Sequence, residues 1–288
     1  MGDDGAATAG TDAAGTATAG TASEVGFAVA QFRPGIDESV NLAEMRSLAV
    51  TAVNRGAHLI VFPEYSAFCE MPLGDASVAA AQHLDGRFVS ALSELAIELG
   101  VFLVAGMLES TDDASRFANT IVAVNPVGQT VATYRKLHLY DAFGEQESAR
   151  VQAGSIDAPQ TFDVHGLAVG LQTCYDIRFP EVTRRLVDAG ADVVLVPAEW
   201  MRGPLKEEQW RMLLTARAVE NTIYVVGADQ APPIGVGQSM VVDPMGVELV
   251  TIGEATDVAV AWISAARIAS VRAVNPALNH RRFGVVAL

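Results

Sequence analysis

Cysteine is nearly absent: Cys69 and Cys174 are the only two in 288 residues. So low a count excludes a disulfide framework and leaves each thiol to be explained by packing or by chemistry. Basic residues are also scarce, 19 against 34 acidic ones, for a formal net charge of −15. With no basic patch, nucleic acid and anionic membrane surfaces are unsuitable partners, and the acidity serves solubility. No apolar run reaches the roughly 20 residues that a membrane-spanning helix needs. The histidines, His58, His83, His138, His165 and His280, show no metal-ligand spacing. The first basic residue is Arg33, so the amino terminus lacks the basic region of a secretory signal. That lack, together with few cysteines, points to the cytoplasm.

Residues 1–22 are almost entirely Gly, Ala and Thr, with Asp3, Asp4 and Asp12. Small side chains bury too little area to offset the entropy of ordering, so 1–23 is expected to be a disordered tail and 24–288 the domain. From Glu24 onward, apolar runs and helix-like segments alternate. Strands are expected at 25–32, 57–64, 101–108, 119–124, 130–136, 164–173, 192–197 and 222–229, with shorter ones at 238–242, 247–251 and 257–263. Helices are expected at 39–56, 77–99, 179–189 and 206–220. Continuous Val/Ile/Leu runs separated by helices indicate sheets covered by helices. Both halves open with a strand–helix–strand unit, and no Pro/Ser-rich linker divides them. The expected fold is α/β, a single-domain four-layer α-β-β-α sandwich with two sheets face to face.

Three polar residues close apolar runs: Glu64 in IVFPEYS, Lys136 in VATYRKLHLYD and Cys174 in AVGLQTCYD. Strand ends are where α/β folds build sites. A carboxylate beside a desolvating wall has its pKa pushed up, which suits it to proton transfer. A lysine there is a fixed charge for an oxyanion. A thiol there, close to a helix N-terminus, is favoured as thiolate and needs only a base to become a nucleophile. Each also has an ordinary reading: Glu64 as a cap or ion pair, Lys136 as a solvated strand end, Cys174 as a small core residue. Spacing alone does not bring the three together.

FPEYS, YRKLHLYD and CYDIRFPE, in that order, resemble the three signature segments of the nitrilase (carbon–nitrogen hydrolase) superfamily. The likeness runs from about residue 25 to 280 and includes WRMLLTARAVENTIYVV at 210–226. It implies a Glu64 general base, a Lys136 oxyanion stabiliser and a Cys174 nucleophile, with the Tyr175 backbone N–H as a second oxyanion donor. It also implies a second glutamate after the lysine. Of Glu145 and Glu147, Glu147 is chosen because Ser follows it directly. Within the superfamily the chain is most similar to the branch of small-acid amidases, which includes ω-amidase and deaminated-glutathione amidase. Nitrilases proper usually follow the cysteine with Trp-Glu, whereas Tyr175-Asp176 stands here. The resemblance thus implies hydrolysis of a small carboxamide through a thioester, no cofactor, and a homodimer or larger homo-oligomer. The alternative is a carbamoyl-amine or carbamoyl-amino-acid hydrolase with the same residues; a catalytically silent relative is the reading from another class.

Tyr65, Glu199, Trp200 and Arg202 are candidates for the substrate pocket. Arg202, if free, could hold a substrate carboxylate; Glu199, if free, suits an amine, unless the two pair with each other. Arg178 and Glu181 are expected to form ion pairs bracing the nucleophile turn. His138 is given a local hydrogen-bonding role, and Cys69 a structural or pocket-lining one. GVGQSM at 235–240 is read as a turn into a strand, since no phosphate-loop Lys-Ser/Thr follows. The last segment, 275–288, is a candidate dimer contact.

Overall fold

The computed structural model describes residues 1–2 and 24–287. The expected disordered tail at 1–23 therefore lies almost entirely outside the described residues. Strand β1 (Val25–Gln31) runs parallel to β2 (Leu59–Val61), and β2 parallel to β3 (Phe102–Ser110). Antiparallel β4 (Phe117–Val124) and β5 (Thr130–Arg135) extend one side. The second sheet repeats the plan. Strands β7 (Leu167–Leu171), β8 (Val193–Ala198) and β9 (Tyr224–Asp229) are parallel, and β10 (Met240–Val242) and β11 (Glu248–Thr251) continue antiparallel. Each sheet is closed on its other side by an antiparallel strand: β6 (Thr161–Val164) beside β7, and β12 (Asp257–Ile263) beside β1. The pseudo-repeat hinted at by the two halves is thus a repeat of topology.

The two sheets share one buried layer, in which Phe27, Val61 and Ile121 of the first meet Val169, Leu195 and Val226 of the second. Helices α1 (Glu38–Asn54) and α3 (Arg87–Leu99) cover the outer face of the first sheet through Met45, Leu48, Phe88 and Leu92. Helices α4 (Pro180–Asp188) and α5 (Lys206–Asn221) cover the second through Leu186, Trp210 and Leu214. The expected α-β-β-α order of layers is present. Among the described residues no helix is long and apolar enough to cross a membrane.

Three local expectations are corrected. The strand expected at 164–173 is a hairpin, with His165 (φ 52°) and Gly166 (φ 86°) turning β6 into β7. Two successive positive φ values make the tight turn that matches strand twist. The helix expected at 77–99 is two helices, α2 (Asp75–Ala79) and α3. Between them the Gln82 N–H donates to Leu108 O and Gln82 O accepts from the Ser110 N–H, both at 2.9 Å. Those bonds to β3 withdraw backbone groups that a continuous helix would use. A helix α6 (Ala265–Val274) was not anticipated; Ser264 caps it by accepting from the Arg267 N–H at 3.3 Å, and Ile268 and Val271 are buried.

Candidate active site

Glu64 follows β2 and is 1 % exposed. The chain turns sharply there, with Tyr65 at φ 58°, and β3 runs close behind it. A Cβ on Gly106 would stand 2.5 Å from Tyr65 N and 2.8 Å from Glu64 Cα, so only glycine allows that approach. Two backbone bonds seal the contact: Gly106 N–H to Pro63 O at 3.2 Å and Ala67 N–H to Gly106 O at 3.0 Å. Lys136 follows β5, tied to β4 by its N–H to Asn119 O at 2.9 Å. Cys174 follows β7 and opens a 3-10 turn, Cys174–Arg178, with the strained φ of 43°.

The lysine and cysteine segments are bound to each other through Asp176. Its Oδ2 accepts from the Tyr134 hydroxyl at 2.7 Å, and its Oδ1 accepts from the His138 N–H at 2.9 Å and faces His138 Nδ1 at 2.7 Å. The His138 ring in turn stacks on Phe179 at 3.7 Å. The local hydrogen-bonding role given to His138 is the one it has. Arg217 closes the far side of the turn, donating to Ile177 O at 2.6 and 3.0 Å.

Lys136 Nζ sits between two buried carboxylates, 2.9 Å from Glu64 Oε1 and 2.9–3.0 Å from both oxygens of Glu147. Asn119 Nδ2 donates to Glu64 Oε1 at 2.5 Å and to Glu147 Oε1 at 3.2 Å. Glu147 further accepts from the Tyr65 hydroxyl at 2.8 Å and the Tyr140 N–H at 2.6 Å. Glu64 Oε2 accepts from the Glu199 N–H at 2.7 Å. Burial alone would lower the Lys136 pKa, but Glu147 and Glu64 outweigh it and hold it well above the usual lysine value. Burial likewise opposes charge on Glu147, yet Lys136 and the Tyr140 amide hold its pKa below normal.

Cys174 behaves differently from what its position at a turn suggested. Burial, followed by the charge of Glu64, pushes the thiol well above its ordinary value, with Lys136 only partly opposing. A 3-10 turn of five residues offers little dipole against that desolvation. The resting group is a neutral thiol whose S–H points to Glu199 O at 3.6 Å; it needs a base. Glu199 is likewise biased toward its neutral form, because burial first and Glu64 second push its carboxyl well above the usual range. Among the described residues its buried Oε1 has no hydrogen-bond partner.

Glu64, Lys136, Glu147 and Cys174 line one cavity of about 190 Å³, together with the pocket candidates Tyr65, Glu199 and Trp200. Arg202 does not line it. Met201 bridges to Gly235 and lines the cavity. Arg202 meets Glu254 at 3.0 Å, and the alternative pairing with Glu199 is not formed. Among the described residues Arg178 and Glu181 form no ion pair; Arg178 donates to Gln209 Oε1 at 2.6 Å and lies 4.7 Å over the Trp200 ring. Cys69 is buried against Gln230 at 3.6 Å, outside the cavity lining, and the 235–240 segment leads into β10 as expected. Among the described residues no group of three or more His, Cys, Asp or Glu is placed to hold a metal ion.

Four contributors were not anticipated. Asn119 and Tyr140 hold the ion cluster, Asp229 accepts from the Trp200 and Val236 N–H groups at 2.6 and 2.9 Å to fix the cavity wall, and Lys206 stands in that wall. Asp229 does follow the pattern of polar residues after apolar runs, whereas Tyr140 serves the cluster through its backbone N–H. Asn119 lies inside a strand and gives no such signal.

A family model for carbon-nitrogen hydrolase matches residues 27–273. The deaminated glutathione amidase of Escherichia coli O157:H7 is 41% identical over 238 residues, covering 82% of this chain and 89% of that protein. The mouse omega-amidase NIT2 is 31% identical over 268 residues, covering 88% and 94%. Among solved structures, an amidase of the nitrilase superfamily from Nesterenkonia AN1 superposes with a TM-score of 0.76 at 28% identity, covering 90% of this chain and 97% of that one.

Proposed function

The chain belongs to the carbon–nitrogen hydrolase family, and we propose that it hydrolyses a small carboxamide through a thioester on Cys174. The observation that carries this reading is the buried Glu64–Lys136–Glu147 cluster facing a neutral thiol in one cavity. Glu64 takes the thiol proton as Cys174 Sγ attacks the amide carbon. The oxyanion is held by the Lys136 ammonium and the Tyr175 N–H; one such donor is worth ~2.7–4 kcal/mol in the transition state. Glu64 then passes the proton to the nitrogen as the C–N bond breaks, and ammonia leaves. Water, deprotonated by Glu64, attacks the thioester, and the thiolate departs with that proton. Glu147 contacts no reacting atom in this scheme; it fixes Lys136 and keeps it charged.

The reading is tested by mass spectrometry of the quenched reaction together with ammonia detection. An acyl adduct on Cys174 is expected in the wild type, with no turnover in Cys174→Ala. Ammonia release by purified Cys174→Ala would overturn it. Carbon dioxide released with the ammonia would assign a carbamoyl substrate in place of a carboxamide. The same proposal places the enzyme in the cytoplasm, because a nucleophilic thiol works only while reduced, and Cys69 and Cys174 are both free. It also makes the enzyme a homodimer or larger assembly, a reading supported by Phe283 and Val286, 90% and 83% exposed near the carboxyl terminus.

A further inference from the structure

The mechanism uses Glu64 and Glu147 but not Glu199, which lines the same cavity and is 6% exposed. Glu199 follows directly on β8, and its backbone is committed on both sides. The N–H donates to Glu64 Oε2 at 2.7 Å, the carbonyl faces the Cys174 thiol at 3.6 Å, and the next N–H, that of Trp200, is taken by Asp229 at 2.6 Å. The residue is thereby fixed beside both the base and the nucleophile. Its side chain is not committed. Among the described residues Oε1 is buried without a hydrogen-bond partner, and no Lys, Arg or His nitrogen stands within 4.0 Å of the carboxyl. Both lysines of the lining are held elsewhere: Lys136 by Glu64 and Glu147, and Lys206 over the rings of Trp200 and Tyr140 at 4.5 and 4.9 Å.

A buried carboxyl without a partner is costly, and a ligand that supplies the partner relieves that cost. The surroundings select the sign of the partner. After burial, it is Glu64, Glu147 and Asp229 that raise the Glu199 pKa, and Lys136 opposes them. Lys136 carries one charge between two carboxylates, so negative charge is left over at this end of the cavity even with Glu199 protonated. Such a potential draws in a cation and repels a second anion. Resting on the amidase reading above, we propose that Glu199 receives an ammonium group of the substrate close to the scissile carbonyl, so that the enzyme selects small amides that also carry an amine. The ammonium brings three donors, of which the carboxylate oxygens accept one or two. Charge balances in the exchange: the ammonium enters, Glu199 releases its proton to solvent, and the two remain as an ion pair. Because Glu199 stands next to Cys174, the amine is kept within a short carbon chain of the carbonyl. The one internal cation that the sequence offered to Glu199, Arg202, is committed to Glu254 outside the cavity.

The test compares β-alaninamide with butanamide, in which a methyl group replaces the ammonium. In the wild type, kcat/KM should favour β-alaninamide. In Glu199→Gln, which keeps the shape and removes the charge, that preference should fall by about tenfold or more, chiefly through KM, and Glu199→Asp should restore part of it. Taking the ratio of the two amides cancels any loss common to both. A binding arm titrates Cys174→Ala protein with β-alaninamide by calorimetry, in phosphate and in Tris at about pH 7. Heats that differ between the two buffers report the proton released as Glu199 ionises beside the ammonium. With Glu199→Gln added, binding should weaken by a similar factor and the release should vanish, which a residue that only shapes the wall would not produce. This arm reads Glu199 even if turnover is absent. Proton-releasing binding without turnover would overturn the amidase reading alone, and turnover of both amides without preference would overturn the Glu199 proposal alone. If Glu199→Gln does not fold, protection of wild-type Cys174 from iodoacetamide decides, and β-alaninamide should protect better than butanamide. An unchanged preference in Glu199→Gln, equal protection by the two amides, or binding of β-alaninamide with no proton release would overturn the proposal.

Discussion

Replacing Glu147 by Gln keeps size and shape and removes one charge, so it isolates what the second carboxylate does. Oε1 accepts from Lys136, Tyr65 and Asn119, and Oε2 from Lys136 and Tyr140. Whichever way the amide is turned, its NH2 faces donors that previously met an oxygen. A charge-assisted hydrogen bond is worth ~1.5–3 kcal/mol, and each 1.36 kcal/mol is about tenfold in rate, so kcat should fall roughly 10- to 150-fold. A broken buried pair costs about 3 kcal/mol at the low end, and at roughly 2–4 °C per kcal/mol the Tm should drop by ~6–12 °C. The more telling effect is on pH dependence. Glu147 is the larger of the two charges that hold Lys136 protonated against burial. Without it the lysine pKa falls, the proton is lost as pH rises, and the alkaline limb of kcat/KM moves to lower pH. The assay is ammonia release between about pH 6 and 10, beside alkylation of Cys174 by iodoacetamide over the same range. A Glu147→Gln enzyme with wild-type kcat and an unmoved alkaline limb would refute the reasoning.

Acid stability provides a second readout of the same group. The folded pKa of Glu147 lies below normal, so its contribution is present above the unfolded value of about 4.3 and is lost as pH falls through the folded one; thermal melts should show Glu147→Gln losing less stability than the wild type between pH 5 and 3. Gly106→Ala puts a Cβ against backbone at 2.5 and 2.8 Å; such overpacking costs ~1–3 kcal/mol, and the displaced Glu64 should cut kcat along with Tm, where a change in neither would be contrary. Tyr134→Phe removes the hydroxyl donor to Asp176 and should lower stability by the worth of a hydrogen bond, ~0.5–1.5 kcal/mol, read as a lower Tm, while slowing Cys174 alkylation. Peptide mapping after mild iodoacetamide treatment should find the label on Cys174 and not on Cys69, whose thiol burial pushes far up with no lysine beside it.

The sequence carried the chemistry of the site better than its geometry. Glu64, Lys136 and Cys174 were legible because each ends an apolar run, and strands that must be buried end at the same edge of a sheet. Their meeting was not legible, since it depends on two sheets packing face to face and on Gly106 letting β3 pass behind Glu64. Asn119 bridges both carboxylates from inside β4, where sequence marks it only as one polar residue in a strand. Arg202 and Lys206 show the same limit from the other direction. Four residues apart, either could face the cavity; Arg202 lies outside it on Glu254, and the first turn of α5 brings Lys206 in. Apolar continuity also misled where a two-residue turn interrupts it, as at His165-Gly166, because period alone does not show where a buried run folds back.

Glu199 presents the opposite case to Glu147, and the contrast can be measured. It is 6% exposed, its Oε1 has no partner among the described residues, and burial together with Glu64 raises its pKa well above the usual value. A neutral acid adds no further negative charge beside Glu64, which leaves Lys136 matched to its own two carboxylates. The arrangement has a thermodynamic consequence. In the unfolded chain Glu199 ionises above about pH 4.3, while in the fold burial and Glu64 make it hold its proton to higher pH. The native state therefore binds more protons than the unfolded one over that range, and stability falls as pH rises by up to ~1.36 kcal/mol per pH unit from this residue alone. Glutamine at 199 has nothing to titrate. Groups remote from residue 199 contribute equally to both proteins, so the Tm of Glu199→Gln minus that of the wild type should widen in favour of the variant as pH rises above 5, at ~2–4 °C per kcal/mol. A difference that stays constant or narrows would mean that Glu199 is ionised in the fold, and the neutral carboxyl beside Glu64 would have to be abandoned.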